Sequence, residues 1–183
     1  MSDTASGTVG AFARAVAFAT EAHRGQVRKG ADADPYISHP LAVVSILADE
    51  AQITDWVTLC GAVLHDTIED TGTSYDDLET AFGTDVANLV AEVSDDKRLP
   101  KQVRKQRQIE RAAHASSRAK LVKLADKIAN LRDIADRPPA TWSLKRKQEY
   151  FDWSKKVVDA IRGTNRMLED AFDATLARRA QLT

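Results

Sequence analysis

Hydrophobic positions recur along this chain every three or four residues, with no persuasive alternation of the kind that marks a half-buried strand, so the pattern predicts helices almost throughout. Phe12, Val16 and Ala19 share one face of a first helix over Val9–Ala22, which ends near Gly25. A polar loop, Arg24 to Ser38, follows. Pro40 suits the opening turn of a second helix, Pro40–Asp49, with Ser38 or His39 as its cap. Thr54 and Asp55 cap a third, which runs through Trp56, Val57, Cys60, Val63 and Leu64 to about Glu69 before Asp70-Thr71-Gly72-Thr73 breaks it.

Ser74 and Asp77 form a capping-box pattern for a short helix, and Gly83-Thr84 open another that reaches about Ser94. Beyond the charged turn Asp95–Arg98 and Pro100, a strongly basic helix covers Lys101 to about Ala115. Ser116 and Ser117 cap the next. Its Leu121, Leu124, Ala125, Ile128 and Leu131 build an apolar face, and Pro138-Pro139 stops it shortly after Ala135. Helices over Ser143–Ile161 and Thr164–Ala180 complete an all-α bundle of roughly eight to ten helices. With no repeat and no linker, residues 1–183 are expected to form one domain, residues 1–8 being flexible.

A chain of 183 residues can bury most of its apolar surface in one core. Its 26 basic and 27 acidic residues nearly cancel, so no global field draws it to nucleic acid or an anionic membrane, and neither is expected as a partner. Any anionic substrate needs a local basic cluster. The one cysteine, Cys60, lies in an apolar run and reads as a buried structural thiol, which excludes a disulfide framework. The first ten residues lack a leader pattern and no apolar segment reaches membrane-spanning length, so a cytoplasmic location is expected. Oligomeric state is not legible.

Four residues at the end of the third helix change the picture. Asp66, Glu69 and Asp70 crowd one helical face beside His65, at the end where the helix dipole already disfavours negative charge. They are either solvated surface acids or one wall of a cation site. Asp126 interrupts an otherwise apolar-periodic helix, with Asn130 one turn along the same side; Lys123 or Lys127 could pair with it as well as a metal could. His39, restricted by Pro40, adds a second imidazole. Two imidazoles and two carboxylates from three helices form a mixed N/O set suited to Mn, Fe or Zn.

Taken in order, Ala22-His23 with Arg28-Lys29, Pro35-Tyr36-Ile37-Ser38-His39-Pro40, Leu64-His65-Asp66-Thr67-Ile68-Glu69-Asp70-Thr71, Val93-Ser94-Asp95-Asp96-Lys97, Lys120 to Lys127, Asn130-Leu131-Arg132-Asp133 and Gly163-Thr164-Asn165-Arg166 resemble the HD hydrolase domain of the RelA/SpoT family. The likeness is greatest to its stand-alone small alarmone hydrolases of the metazoan SpoT-homologue type, and it extends from about Ala17 to Glu169.

The resemblance implies a single HD domain that removes pyrophosphate from the 3′ position of ppGpp and pppGpp. It also implies Mn²⁺ as the divalent cation, with Zn²⁺, Fe²⁺ and Mg²⁺ as other candidates. By the same resemblance His39, His65, Asp66 and Asp126 bind the metal, and Glu69 and Asp70 serve the attacking water. Arg28, Lys29, Lys101, Asn130 and Tyr150 hold the nucleotide. The synthetase and regulatory domains of the long family members are not expected.

Residue chemistry agrees with parts of this. Arg28 and Lys29 near a metal become candidate pyrophosphate clamps, one forked and one a point charge. Lys101, Arg104, Lys105 and Arg107 read equally well as a solvated helix face, and Tyr150, beside Phe151 and Trp153, as packing. His23 ends the first helix and could support the Arg28 loop by hydrogen bonding, though it reads more readily as a capping imidazole, and His114 reads as exposed, both outside the metal site. The alternatives are an HD-type phosphatase for another nucleotide, such as NADPH, and a non-catalytic alarmone-binding domain.

Overall fold

Ten α-helices follow one another among the described residues: α1 (Asp3–Ala22), α2 (Ser38–Ser45), α3 (Trp56–Leu64), α4 (Thr67–Asp70), α5 (Tyr75–Phe82), α6 (Thr84–Val93), α7 (Lys101–Ala112), α8 (Ser117–Asp136), α9 (Leu144–Asp159) and α10 (Arg166–Ala177). The computed structural model describes residues 3–30 and 33–183, with side chains from residue 9 onward. The expected flexibility of residues 1–8 concerns side chains outside that range; the backbone is already helical from Asp3, earlier than the apolar pattern predicts.

The caps explain most boundaries. Asp55 accepts from the Thr58 amide at 3.1 Å, Ser116 from Ala119 at 3.2 Å and Ser143 from Arg146 at 3.3 Å, each satisfying an orphan donor of a first turn. Ser74 and Asp77 form the expected capping box. One start and one cap differ from expectation. Helix α10 starts at Arg166 behind the Asn165 cap rather than at Thr164, and α2 starts behind Ile37 with no side-chain cap, because Tyr36 and Pro35 carbonyls bind the His39 and Ser38 amides instead.

Helix α3 is the hub, buried from Val57 to Leu64 apart from half-buried Leu59, and packed against α1, α2, α6 and α8. A β-carbon on Gly61 would stand 2.4 Å from Leu89 Cδ2, so only glycine lets α3 and α6 approach this closely. Leu124, Ile128 and Leu131 of α8 complete one continuous core with Leu47, Leu64, Leu78 and Phe172. Cys60 lies within it, its thiol pushed up to about 11 by burial, as a structural cysteine should be.

One expected helix is two. The third does not run to Glu69: it ends at Leu64, and α4 starts at Thr67. The His65 ring Nδ1 donates to the Ala62 carbonyl at 2.7 Å, and Thr67 Oγ1 donates to that of Leu64 at 2.7 Å. These side chains take carbonyls that a continuing helix would bond through its amides, so the chain turns at His65-Asp66.

Candidate metal centre and its cleft

Three elements converge where the chain turns. The first turn of α2 supplies His39, the α3–α4 break supplies His65 and Asp66, and the middle of α8 supplies Asp126. One ligand atom from each of His39, His65 and Asp126 falls within 4.8 Å of the others. Asp66 Oδ2 stands 3.2 Å from His65 Nε2 and 3.9 Å from His39 Nε2. His39 Nε2 lies 3.1 Å from Asp126 Oδ1. Because a carbonyl can only accept, the bond to Ala62 fixes the proton of neutral His65 on Nδ1 and leaves a lone pair on Nε2. That Nε2 is buried without a hydrogen-bond partner, as a ligand atom aimed at a cation would be.

The electrostatics agree. Burial opposes charge on His65, but Asp66 and Asp126 outweigh it and hold the imidazole up to about 9. Burial also opposes ionisation of Asp66, yet His65 and His39 hold it well below the usual carboxylate range. Burial likewise opposes ionisation of Asp126, and Lys127 at 2.9 Å and His39 override it. The pair with Lys127 and the place beside both imidazoles coexist, so the two sequence readings of Asp126 are not exclusive. Burial lowers the pKa of His39, against the opposing bond to Asp126.

The acids beyond the break do not share a helix face with α3 as the sequence pattern suggests; they belong to the separate turn α4. Glu69 Oε2 accepts from the Asp95 amide at 3.0 Å, and Oε1 lies 3.4 Å from Arg104. Its pKa is raised by burial. Asp70 pairs with Lys97 and faces Tyr36.

An outer cleft of about 560 Å³ opens beside these groups, lined by Arg28, Lys29, Asn130, Trp142 and Tyr150 among others. Arg28 donates to Asp133 at 2.7 Å and to Asn130 at 3.1 Å, which ties the 24–38 loop to α8. That loop is itself clasped by a Val27–Pro35 bridge. Asn130 in turn donates to Asp126 at 2.5 Å, linking the cleft wall to the metal group. Lys29 and Lys101 are exposed, Lys101 lining the space between α7 and α9 rather than the outer cleft. Tyr150 is half-buried between Trp142 and Trp153, with ring centroids at 5.7 and 5.2 Å, so it packs and lines the cleft at once.

Sequence reasoning missed the Tyr36 hydroxyl, which donates to Asp66, and misjudged His23. The His23 ring does not cap α1: it is buried, stacks on Tyr36 at 4.6 Å and bonds Gln26 at 2.9 Å. Gln26 then donates to the Asp70 carbonyl at 2.8 Å. The only signal for this support was a phenol three residues before His39 in a tethered loop. His114 is exposed, as expected.

A family model described as HD domain matches residues 15–152. The guanosine-3′,5′-bis(diphosphate) 3′-pyrophosphohydrolase MESH1 of Xenopus tropicalis is 53% identical over 156 residues, covering 85% of this chain and 87% of that protein. The human MESH1 is 54% identical over 155 residues, with the same coverage of 85% and 87%. A solved structure, described as a metazoan orthologue of SpoT that hydrolyses ppGpp and plays a role in starvation responses, superposes with a TM-score of 0.90 at 49% identity, over 94% of this chain and 97% of that one.

Proposed function

This chain belongs to the HD domain family, and from that premise we propose that it hydrolyses the 3′-pyrophosphate of the guanosine alarmones ppGpp and pppGpp, releasing GDP or GTP and pyrophosphate. The whole chain, residues 1–183, acts as one such domain. The observation that carries the reading is a group of two buried imidazoles, His39 and His65, and two half-buried carboxylates, Asp66 and Asp126, beside two further acids at the inner end of a cation-lined cleft.

His39, His65, Asp66 and Asp126 hold one divalent cation; mixed nitrogen and oxygen donors favour Mn²⁺ over Mg²⁺. When bound, such an ion supplies Lewis-acid polarisation of phosphoryl oxygens and acidifies water. Glu69 and Asp70 orient the attacking water and take its proton; burial raises Glu69 toward the range in which a carboxylate serves as a base. Water oxygen bonds to the phosphorus that carries O3′, the P–O3′ bond breaks, and O3′ leaves with a proton. Arg28 and Lys29 bring positive charge to the phosphates, Lys101 adds a point charge at the far wall, and Asn130 and Tyr150 border the nucleotide.

The test is hydrolysis of ppGpp by metal-stripped protein before and after Mn²⁺ is restored, with products separated by anion exchange. GDP and pyrophosphate are expected only after restoration. Intact ppGpp in the presence of bound Mn²⁺ would overturn the assignment.

A further inference from the structure

An inner chamber of about 230 Å³ includes the metal group and is bounded by α4, the turn after α6, and helices α7, α8 and α9. Six cations line it: Arg28, Lys101, Arg104, Lys105, Lys123 and Lys127. Arg28 and Lys127 have close carboxylate partners, Asp133 at 2.7 Å and Asp126 at 2.9 Å. Arg104 reaches Glu69 at a long 3.4 Å, and its buried Nε has no hydrogen-bond partner. Lys123 is 8% exposed, with one bond, to the Val93 carbonyl at 3.2 Å. Lys105 is held over the Trp153 ring at 4.7 Å. Burial and neighbouring cations lower the pKa of Lys101, Lys105 and Lys123 alike.

Buried positive charge without counter-charge is unfavourable unless an anion completes it. Of the acids that line the chamber, Asp66 and Asp126 belong to the metal group, Asp70 pairs with Lys97, Glu69 accepts from the Asp95 amide and Asp95 accepts from Gln108 at 2.7 Å, and among the described residues none of them forms an ion pair with Lys101, Lys105 or Lys123. The outer cleft is built differently. Its Arg28 and Arg137 are matched by Asp133 and Asp34, at 2.7 Å each, and Ile134, Pro139 and Trp142 give it apolar faces. A nucleoside suits the outer cleft, whereas a small polyanion suits the inner chamber.

We propose that the inner chamber is the pyrophosphate subsite: Arg104 and Lys123, with Lys105 beside them, hold the diphosphoryl group of the substrate and retain it as pyrophosphate after the ester bond breaks. This rests on the hydrolase reading above and extends it, because it places the leaving diphosphate on α7 and α8, in a chamber that Arg28 also lines. A substrate with a single 3′-phosphate gains less from these residues, so they also favour a 3′-diphosphate over a 3′-monophosphate.

Equilibrium binding of radiolabelled pyrophosphate to the Mn²⁺-loaded protein, with Mn²⁺ in excess, tests the subsite apart from turnover. Arg104→Gln and Lys123→Met are each expected to weaken binding about tenfold or more, the loss of one charge-assisted bond. Arg137→Gln, on the outer rim, should leave it within about twofold. Wild-type affinity in both inner variants, or equal loss in Arg137→Gln, would overturn the proposal. If Lys123→Met fails to fold, Arg104→Gln and Lys105→Gln decide the matter. Failure of the hydrolase reading would look different: wild-type protein would leave ppGpp intact while pyrophosphate binding still depended on Arg104.

Discussion

The phenolic hydroxyl of Tyr36 donates to Asp66 Oδ2 at 2.7 Å. The same oxygen stands 3.0 Å from Asp70 Oδ2, so one neutral donor spans a metal-group carboxylate and an acid of α4. Burial, then the charge of Asp66, raises the phenol far above its ordinary pKa and keeps it a donor at any working pH. His23, stacked on the ring, fixes its position. Tyr36→Phe keeps the stack and deletes the donor. It should cost about 1 kcal/mol of stability and lower kcat about tenfold with KM little changed. Steady-state kinetics beside a urea titration checks both, and an unchanged kcat would remove Tyr36 from the machinery.

Glu69→Gln tests the division between holding the ion and handling water. Turnover should fall by roughly 10²- to 10⁴-fold while metal per chain stays at the wild-type level, because Glu69 bonds the Asp95 amide and Arg104, not the imidazoles. Elemental analysis alongside the kinetics separates the outcomes; loss of metal would make Glu69 a ligand.

Asp126→Ala should abolish metal retention and also destabilise the fold. The change strands Lys127, whose side chain is 5% exposed, and removes the partner of His39. Losing one member of a buried pair costs about 3–5 kcal/mol. Metal content after dialysis and the urea midpoint of the metal-free protein read the two effects separately.

The pH dependence of the metal-free protein follows from His65. Its folded pKa is raised, to about 9, above the ordinary imidazole value, so its contribution to stability is fully present below about 6.5 and is lost as pH rises toward 9. Metal binding runs the other way, because the ion must displace the His65 proton. Mn²⁺ affinity should therefore climb between pH 6 and pH 8, as about tenfold per unit for one displaced proton. Calorimetric titration at three pH values checks the slope, and a flat profile would contradict it.

Gly61→Ala tests the close approach of α3 and α6. The added carbon meets Leu89, and the fold should lose about 1–3 kcal/mol as the helices separate. Any loss of activity should appear with that destabilisation, seen as a lowered thermal midpoint.

The helices were legible because their determinants are local. Phe12, Val16 and Ala19 recur on one face, Ser74 caps with Asp77, and Pro138 stops α8, all within a few residues of where they act. The ordered segments around His39, His65-Asp66 and Asp126 carried the family likeness. The break between α3 and α4 was not legible, since the apolar period runs on while His65 and Thr67 spend their hydrogen bonds on carbonyls behind them. Nor was the state of α7: a basic helix has the same sequence whether solvated or turned into a cavity, and only tertiary packing brings Arg104, with its unpartnered Nε, and Lys123 to the wall of one chamber. Periodicity, caps and motif order are properties of neighbours along the chain. Tautomer, ion pairing and uncompensated charge depend on residues far apart in sequence, such as Tyr36 with Asp66 and His39 with Asp126, and exist only once folding has brought them together.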